Sequence, residues 1–431
     1  MFETTRWTVI ASKSYTLHAK GRLEETERGL AVVAAVSRSS ALVFALSLVA
    51  IFSTRPVRAE LPPIDAKEIL GLATGNALKI TSVAVRLTAL EQSGRGYQSK
   101  AGRVSGPGSE RLTVFEPQLE VQAKQGEKVS HRLWVPVDVV TAASPDAIDR
   151  DRRPPDVVSS ASRRNMAGTL DWTMQYKASP NIELSFRNGL HLEEEWRAWH
   201  SGLTLSHAFA EQNTVLSLGV LSIFDWFDNF DLIGKRRGLS RRGSNTGSLA
   251  LTQILSRTTV GELSYGLTVQ NGTLGNNWNI VPLSDGSVGA EILPSLRMRN
   301  AFVGRIAQAL PWNGVLKGYY RFYTDSWSIQ GHTVEAQLLQ RVSPQFSFAF
   351  GFRHHTQTAA DFFTKRGAPN DDLRTADSDL SELDSDSLSG RAFVVVPWGQ
   401  QRLNIDFAYE RYWRSNKLAA NIFTCSTGIS L

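Results

Sequence analysis

The chain runs to 431 residues with 42% apolar content and a mean hydropathy of −0.19, which excludes a disordered polymer and a helical membrane protein alike. Of its 47 basic and 41 acidic residues, eight and four lie in residues 1–59, so the remainder carries 39 and 37, a net charge of only +2. That balance gives no support for nucleic acid as a partner. The single cysteine, Cys425, leaves no internal disulfide and no thiolate zinc cluster.

Near the N-terminus, Ala41–Phe52 (ALVFALSLVAIF) is an apolar run of 12 residues between Arg38 and the small-residue site Val57-Arg58-Ala59. This is the layout of a secretory h-region followed by a cleavage signal. A signal anchor spanning the inner membrane would need about 20 apolar residues. The expectation is export with residues 1–59 removed, then a short periplasmic segment over 60–80, then one domain over 81–431. Met1–Ser37 is longer than the stretch that normally precedes an h-region.

From residue 80 onward the recurring period is two, that of a strand. Val129, Leu133, Val135, Val137 and Val139 alternate with Ser130, Arg132 and Asp138. Leu170, Trp172, Met174 and Tyr176 alternate with Asp171, Thr173, Gln175 and Lys177, and Leu403, Ile405, Phe407 and Tyr409 with Arg402, Asn404, Asp406 and Glu410. Turn residues cut the chain into sixteen segments of about 10 to 14 residues, the length that crosses a bilayer at a tilt. They begin near Thr81, Arg111, Val129, Ala167, Asn181, Trp196, Thr214, Gly247, Thr259, Arg297, Val315, Trp327, Gln345, Ser389, Gln401 and Leu418.

Every second connection is short: KQGE at 124–127, SPN at 179–181, AEQN at 210–213, RTT at 257–259, LPWN at 310–313, VSPQ at 342–345 and GQQ at 399–401. All the long ones, near 92–110, 142–166, 227–246, 271–296 and 357–388, fall in the other set. An outer-membrane barrel with both termini in the periplasm has an even strand number, short periplasmic turns and long outer loops. The expected fold is therefore an all-β, antiparallel up-and-down transmembrane barrel of about sixteen strands.

Phe346, Phe348, Phe350 and Phe352 occupy alternate positions of QFSFAFGFRHH. In a membrane barrel they face lipid, and Gln345, Ser347, Ala349, Gly351 and Arg353 face the lumen; in a soluble sandwich or lipocalin-like barrel they would fill a core. Trp226, Trp312, Tyr323, Trp327, Trp398 and Tyr412 sit at strand ends, where an aromatic girdle lies. The chain ends in AANIFTCSTGISL, with Phe423, Cys425, Ile429 and Leu431 on one face.

YRFYTDSWSIQGHT (Tyr320–Thr333) followed by HHTQTAADFF (His354–Phe363) resembles the uncharacterised outer-membrane family DUF3570, which carries Y-R-Y-Y-x-D-S-x-x-x-x-A-H-T and Q-S-A-A-D-F-Y stretches one hairpin apart. VVTAASPDA (Val139–Ala147), LTQILS (Leu251–Ser256) and AANI (Ala419–Ile422) are similar in order and position, so the likeness covers most of 80–431. Gly331 stands for the usual Ala and Thr358 for the usual Ser. The resemblance implies an exported barrel and supplies no catalytic residue.

Projecting the alternation inward gives a lumen of mixed sign. Arg132, Lys177, Arg187, Arg299, Arg305, Lys317, Arg321, Arg353 and Arg402 share it with Asp138, Asp171, Glu183, Glu262, Glu335, Asp406 and Glu410, which predicts weak ion selectivity or a salt-bridge network stiffening the wall. Lys317, Arg321, Tyr323, Arg353 and His355 face one way, near Asp325 and Asp361. Such a cluster either grips an anion through the arginine forks or pins loop 357–388 to the rim.

Asp371, Asp372, Asp377, Asp379, Glu382, Asp384 and Asp386 crowd the stretch 364–388, but no EF-type glycine accompanies them and a solvated loop is expected, with no metal site. Lys235, Arg236, Arg237, Arg241 and Arg242 fall in another outer loop, where they would meet lipopolysaccharide phosphates or simply solvent. There is no G-x-S-x-G, H-E-x-x-H or P-loop, and His354-His355 neighbours point to opposite faces of a strand. No cofactor and no enzymatic activity are expected; an outer-membrane hydrolase built from distant strands is the exception left open, and His355 and Asp361 are the residues it would use.

These readings converge on a porin-like channel for small polar solutes, inserted by the barrel-assembly machinery and surrounded by outer-membrane lipid and lipopolysaccharide. The alternative is a closed barrel that anchors a periplasmic or surface partner. The two differ in whether loops 142–166 and 357–388 fold into the bore.

Overall fold

The computed structural model describes residues 77–100, 103–109, 111–142, 166–230, 236–275, 279–365, 367–369 and 372–431. Sixteen strands close an antiparallel barrel. They are β1 (Leu78–Ser93), β4 (Leu112–Gln125), β5 (Val129–Ala142), β6 (Met166–Ser179), β7 (Ile182–Leu192), β8 (Trp196–Phe209), β9 (Thr214–Phe230), β10 (Arg236–Ile254), β11 (Thr259–Gly272), β14 (Leu296–Ala309), β15 (Gly314–Asp325), β16 (Gln330–Arg341), β17 (Phe346–Gln357), β18 (Leu383–Trp398), β19 (Gln401–Arg414) and β20 (Ala419–Ser430). Each pairs with its neighbour in sequence, and β1 seals the ring on β20 from Ser82↔Ser430 to Ser93↔Ala419. Outside the barrel, β2 (Arg95–Lys100) pairs with β3 (Arg103–Ser109), and β12 (Ile280–Pro282) with β13 (Val288–Ala290).

The alternation sets the two faces. On β17, Phe346, Phe350 and Phe352 are exposed while Ala349 is buried. The register carries the outward positions to Val334, Tyr320, Phe302 and Leu263 on one side and to Leu388, Phe407 and Phe423 on the other, all exposed. A closed sheet with an apolar exterior satisfies its backbone internally and is the β form that spans a bilayer. The Phe comb thus lies on the outside of a closed sheet rather than in the core of a sandwich.

Tight turns join the strands at one end. Residues 210–212 there all take positive φ, and Asn313 and Gly399 turn the chain with φ 62° and 61°. Both ends of the barrel chain, Leu78 and Leu431, lie at this end, and all the longer connections lie at the other.

Four expectations shift. β10 begins at Arg236, not near Gly247: residues 236–246 read as a polar loop, yet pair with β9 from Phe230 onward. β18 begins at Leu383, so Asp384 and Asp386 belong to a strand. β1 begins at Leu78, inside the expected periplasmic segment. Trp327 is not part of β16; it is buried in the turn before it, while Tyr323 and Tyr412 sit at inward positions, so none of the three is in a lipid-facing girdle. Trp312 and Trp398 are exposed at the tight-turn end, as a girdle requires. Residues 1–76 and 143–165, with the expected signal peptide, most of the 60–80 segment and most of loop 142–166, lie outside the described residues.

Candidate functional site

The motif strand β15 ends in Asp325, whose side chain is fully buried. One carboxylate oxygen accepts from Arg297 Nε at 2.8 Å and from Tyr323 Oη at 2.7 Å. The other accepts from the backbone N–H groups of Trp327 (2.9 Å) and Ile329 (3.0 Å). Trp327 is thereby folded back over the Arg297 guanidinium, 4.1 Å from the ring centroid, and its Nε1–H donates to Leu296 O. A charge buried this way is stable because every lone pair is used. The family-like D-S-W run is therefore a knot that fixes the 326–329 turn, and its role there is structural.

On that turn stands a small core of Trp327, Ile329, Ala360 and Leu380, with Leu274, Leu293, Tyr323, Phe362 and Phe363 packed against it. It joins two loops: 273–295 after β11 and 358–382 after β17. Bridges at Leu283↔Ala368 and Ile292↔Arg374 knit them together. The buried Arg374 donates to Ala290 O and Pro369 O, both at 3.0 Å, and Asn279 Nδ2 donates to Asp377 at 3.2 Å.

Loop 358–382 is then drawn onto side chains that point into the bore. Gln357 Nε2 donates to Asp379 O (3.0 Å) and Ser381 O (2.9 Å), and Arg414 pairs with the Asp379 carboxylate at 2.6 Å. Burial and the adjacent Asp379 push the Asp377 carboxyl up. Burial acts on Asp379 in the same sense, the paired Arg414 guanidinium opposes it, and the Asp379 carboxyl lies below the usual carboxylate range. The acidic stretch is thus an ordered loop with a cationic latch, and among the described residues no group of three His, Cys, Asp or Glu side chains is placed to hold a metal ion.

Lys317, Arg321, Tyr323, Asp325, Arg353, His355, Arg402, Asp406 and Glu410 all occupy inward positions, as the alternation requires. Arg305, Tyr319, Glu335 and Arg353 form one rung across β14–β17, and Arg321, Thr333 and His355 the rung above it. Arg305 lies over the Tyr319 ring at 5.5 Å and Arg321 over Tyr323 at 5.2 Å. His355 bonds Thr333 Oγ1 (2.8 Å) and Gln357 Oε1 (3.2 Å), whereas Asp361 is an exposed loop residue accepting from Ser328 Oγ. The structure gives His355 and Asp361 different partners.

The expected lipopolysaccharide set divides. Arg236 and Arg237 are exposed, Arg236 pairing with Asp228, and Arg241 is exposed at an outward register position. Arg242 is corrected: it points inward, pairing with Asp225 at 2.8 Å under the Trp196 ring at 4.6 Å, because its register position is one residue out of phase with Arg241. Lys235 lies outside the described residues.

Inward charged residues beyond the expected set include Arg86, Arg297, Arg391, Arg414, Glu116, Glu120 and Asp225. Arg391 binds Asp406 through Nε at 2.7 Å and 2.9 Å. It lies inside the strand expected from Ser389 onward, where the alternation Ser389-Arg391-Phe393 already turns it inward.

Inward charge is uneven around the ring. Strands β14–β19 carry ten inward bases, Arg297, Arg299, Arg305, Lys317, Arg321, Arg341, Arg353, Arg391, Arg402 and Arg414, against four acids, Asp325, Glu335, Asp406 and Glu410. The other ten strands carry seven of each: Lys79, Arg86, Lys124, Arg132, Lys177, Arg187 and Arg242 against Glu116, Glu120, Asp138, Asp171, Glu183, Asp225 and Glu262.

Solved structures with a similar barrel include a BenF-like porin from Pseudomonas fluorescens Pf-5 (8% identity, TM-score 0.41, 82% of this chain and 99% of that one). Pseudomonas aeruginosa OccK1 (OpdK) follows at 10% identity and TM-score 0.39, over 81% and 98% of the two chains. A bacterial polysaccharide outer membrane secretin gives 9%, 0.41, 81% and 97%. Such likeness concerns the type of fold alone. No curated protein sequence matches the chain. Residues 224–417, from the end of β9 to the β19–β20 connection and including both motifs on β15–β17, match the family described as protein of unknown function, DUF3570.

Proposed function

We propose that this chain is an outer-membrane channel for the passage of small polar solutes, with its tight turns in the periplasm and its long loops outside. The observation that carries the reading is the size of the inward side chains. Thr204, Gly219, Ser248, Gly266 and Ala301 follow one another around a single rung of β8–β14. Ser387 and Ser389, Ser426 and Gly428 leave β18 and β20 similarly bare on that face. A sixteen-strand ring is wide enough for water, and filling it from its own wall would take large side chains at these places. Loop 358–382, latched to Gln357 and Arg414, narrows the outer mouth.

Arg236, Arg237 and Arg241 at the outer end of β10 are suited to lipopolysaccharide phosphates. The channel reading is tested by single-channel recording of the protein purified from membranes and checked for β-type circular dichroism. Discrete conductance steps support it. Silence from folded protein overturns it in favour of a closed barrel that anchors a partner.

A further inference from the structure

We infer that the bore selects small oxyanions, carboxylates or phosphates, and that strands β14–β19 form the selecting wall. The inference rests on the channel reading above. Its basis is the count by strand: ten inward bases to four acids on six consecutive strands, and seven to seven on the remaining ten. The whole excess of six positive charges therefore sits on one side of the bore.

Pairing does not remove the asymmetry. On the balanced side Arg132 meets Glu120, Arg187 meets Asp171 and Arg242 meets Asp225. On the basic side Arg297 is held by Asp325, Arg391 by Asp406, and Arg414 by Asp379 from the loop above. Arg305 reaches across to Glu262 on β11, and Lys317, Arg321 and Arg353 stand around the carboxylate of Glu335 on three successive rungs under loop 358–382. Arg299, two residues from Arg297 on the same inward face, has a buried Nε–H with no acceptor among the described residues. A buried donor without an acceptor is costly, and an anion passing the mouth would supply one.

The chemistry of the wall favours oxyanions over cations for two reasons. Charge of one sign lining a low-dielectric passage concentrates the opposite ion along it. Guanidinium forks offer paired donors that a carboxylate or phosphate meets with two oxygens. The rings of Tyr319 and Tyr323 lie beneath Arg305 and Arg321 and hold those forks in place.

The test is the reversal potential of the full-length protein in a potassium chloride gradient, then in gradients of potassium succinate and potassium phosphate. An anion-to-cation permeability ratio of about 3 or more is expected, falling towards about 1 in a variant carrying Lys317→Gln, Arg321→Gln and Arg353→Gln. Should that variant fail to fold, Glu335→Gln, which removes the acid on the Arg353 rung, is expected to raise the ratio. Lys177→Gln on the balanced side is expected to leave it in place. The succinate and phosphate arms show which oxyanion passes more readily. An open channel with a ratio near or below 1 overturns the inference and leaves the channel reading standing. A folded barrel with no open state overturns both.

Discussion

The two sides of the bore follow the same alternation and use their charges differently. On the balanced side, Asp171 gathers Arg187 and His200 within the barrel wall itself, and the charges there hold strand to strand. On the basic side, Asp325 and Arg414 reach past the ends of their strands to fix the 326–329 turn and loop 358–382. Similar ion pairs therefore stiffen the wall in one region and position a loop in the other, and the distinction follows from height along the strand.

The largest expected effect separates the two. Asp325→Ala strands a nearly buried Arg297 and frees two backbone donors, at a cost of about 3–5 kcal/mol in urea unfolding. Asp171→Ala leaves partners that retain some water, and about 2–3 kcal/mol is expected. A larger loss at Asp171 would break the comparison.

Next comes the latch. Arg414→Ala is expected to lower the opening free energy of loop 358–382 by about 1–3 kcal/mol, seen as faster amide exchange over 377–381 with the barrel strands unchanged. Uniform acceleration through β17–β19 would mean that Arg414 supports the wall and not the loop.

A pH dependence sharpens the same point. Asp379 is held below its ordinary value, so its pair with Arg414 contributes fully above the unfolded value of about 3.9 and is lost as the pH falls through the depressed folded value. Exchange at 377–381 should stay slow down to about pH 4 and accelerate below it. Acceleration already between about pH 7 and pH 5 would count against the latch. The smallest effect belongs to Arg236, fully exposed beside Asp228: Arg236→Ala is expected to leave unfolding unchanged, and any loss would show that the β9–β10 extension contributes to the barrel.

Much of the barrel was legible because strand period and turn chemistry are local. Phe346–Phe352 announces its outward face without reference to any other strand, and the short connections at 310–313 and 342–345 mark their own ends. Where the reading slipped, the local signal was absent. Residues 240–246 and 384–387 are polar on both faces, since a strand beyond the apolar band has no lipid side to demand apolar residues, and only pairing with β9 and with β17 and β19 makes them strands. Tyr323 carries both a girdle signal and an inward one, and the choice between them, like the partner of Asp325, depends on Arg297, 28 positions before Asp325 in the chain.

What the sequence determined by itself is a barrel of about sixteen strands, the end at which each connection lies and the alternation of faces along the strands it marks, because each depends on spacing within about a dozen residues. The tertiary structure decided which inward charges meet, that Trp327 turns in instead of out, and that two loops bonded through residues 84 apart join into one unit leaning on Gln357 and Arg414. Those contacts exist only once the ring has closed and set sixteen registers against one another, and no period within a single strand encodes them.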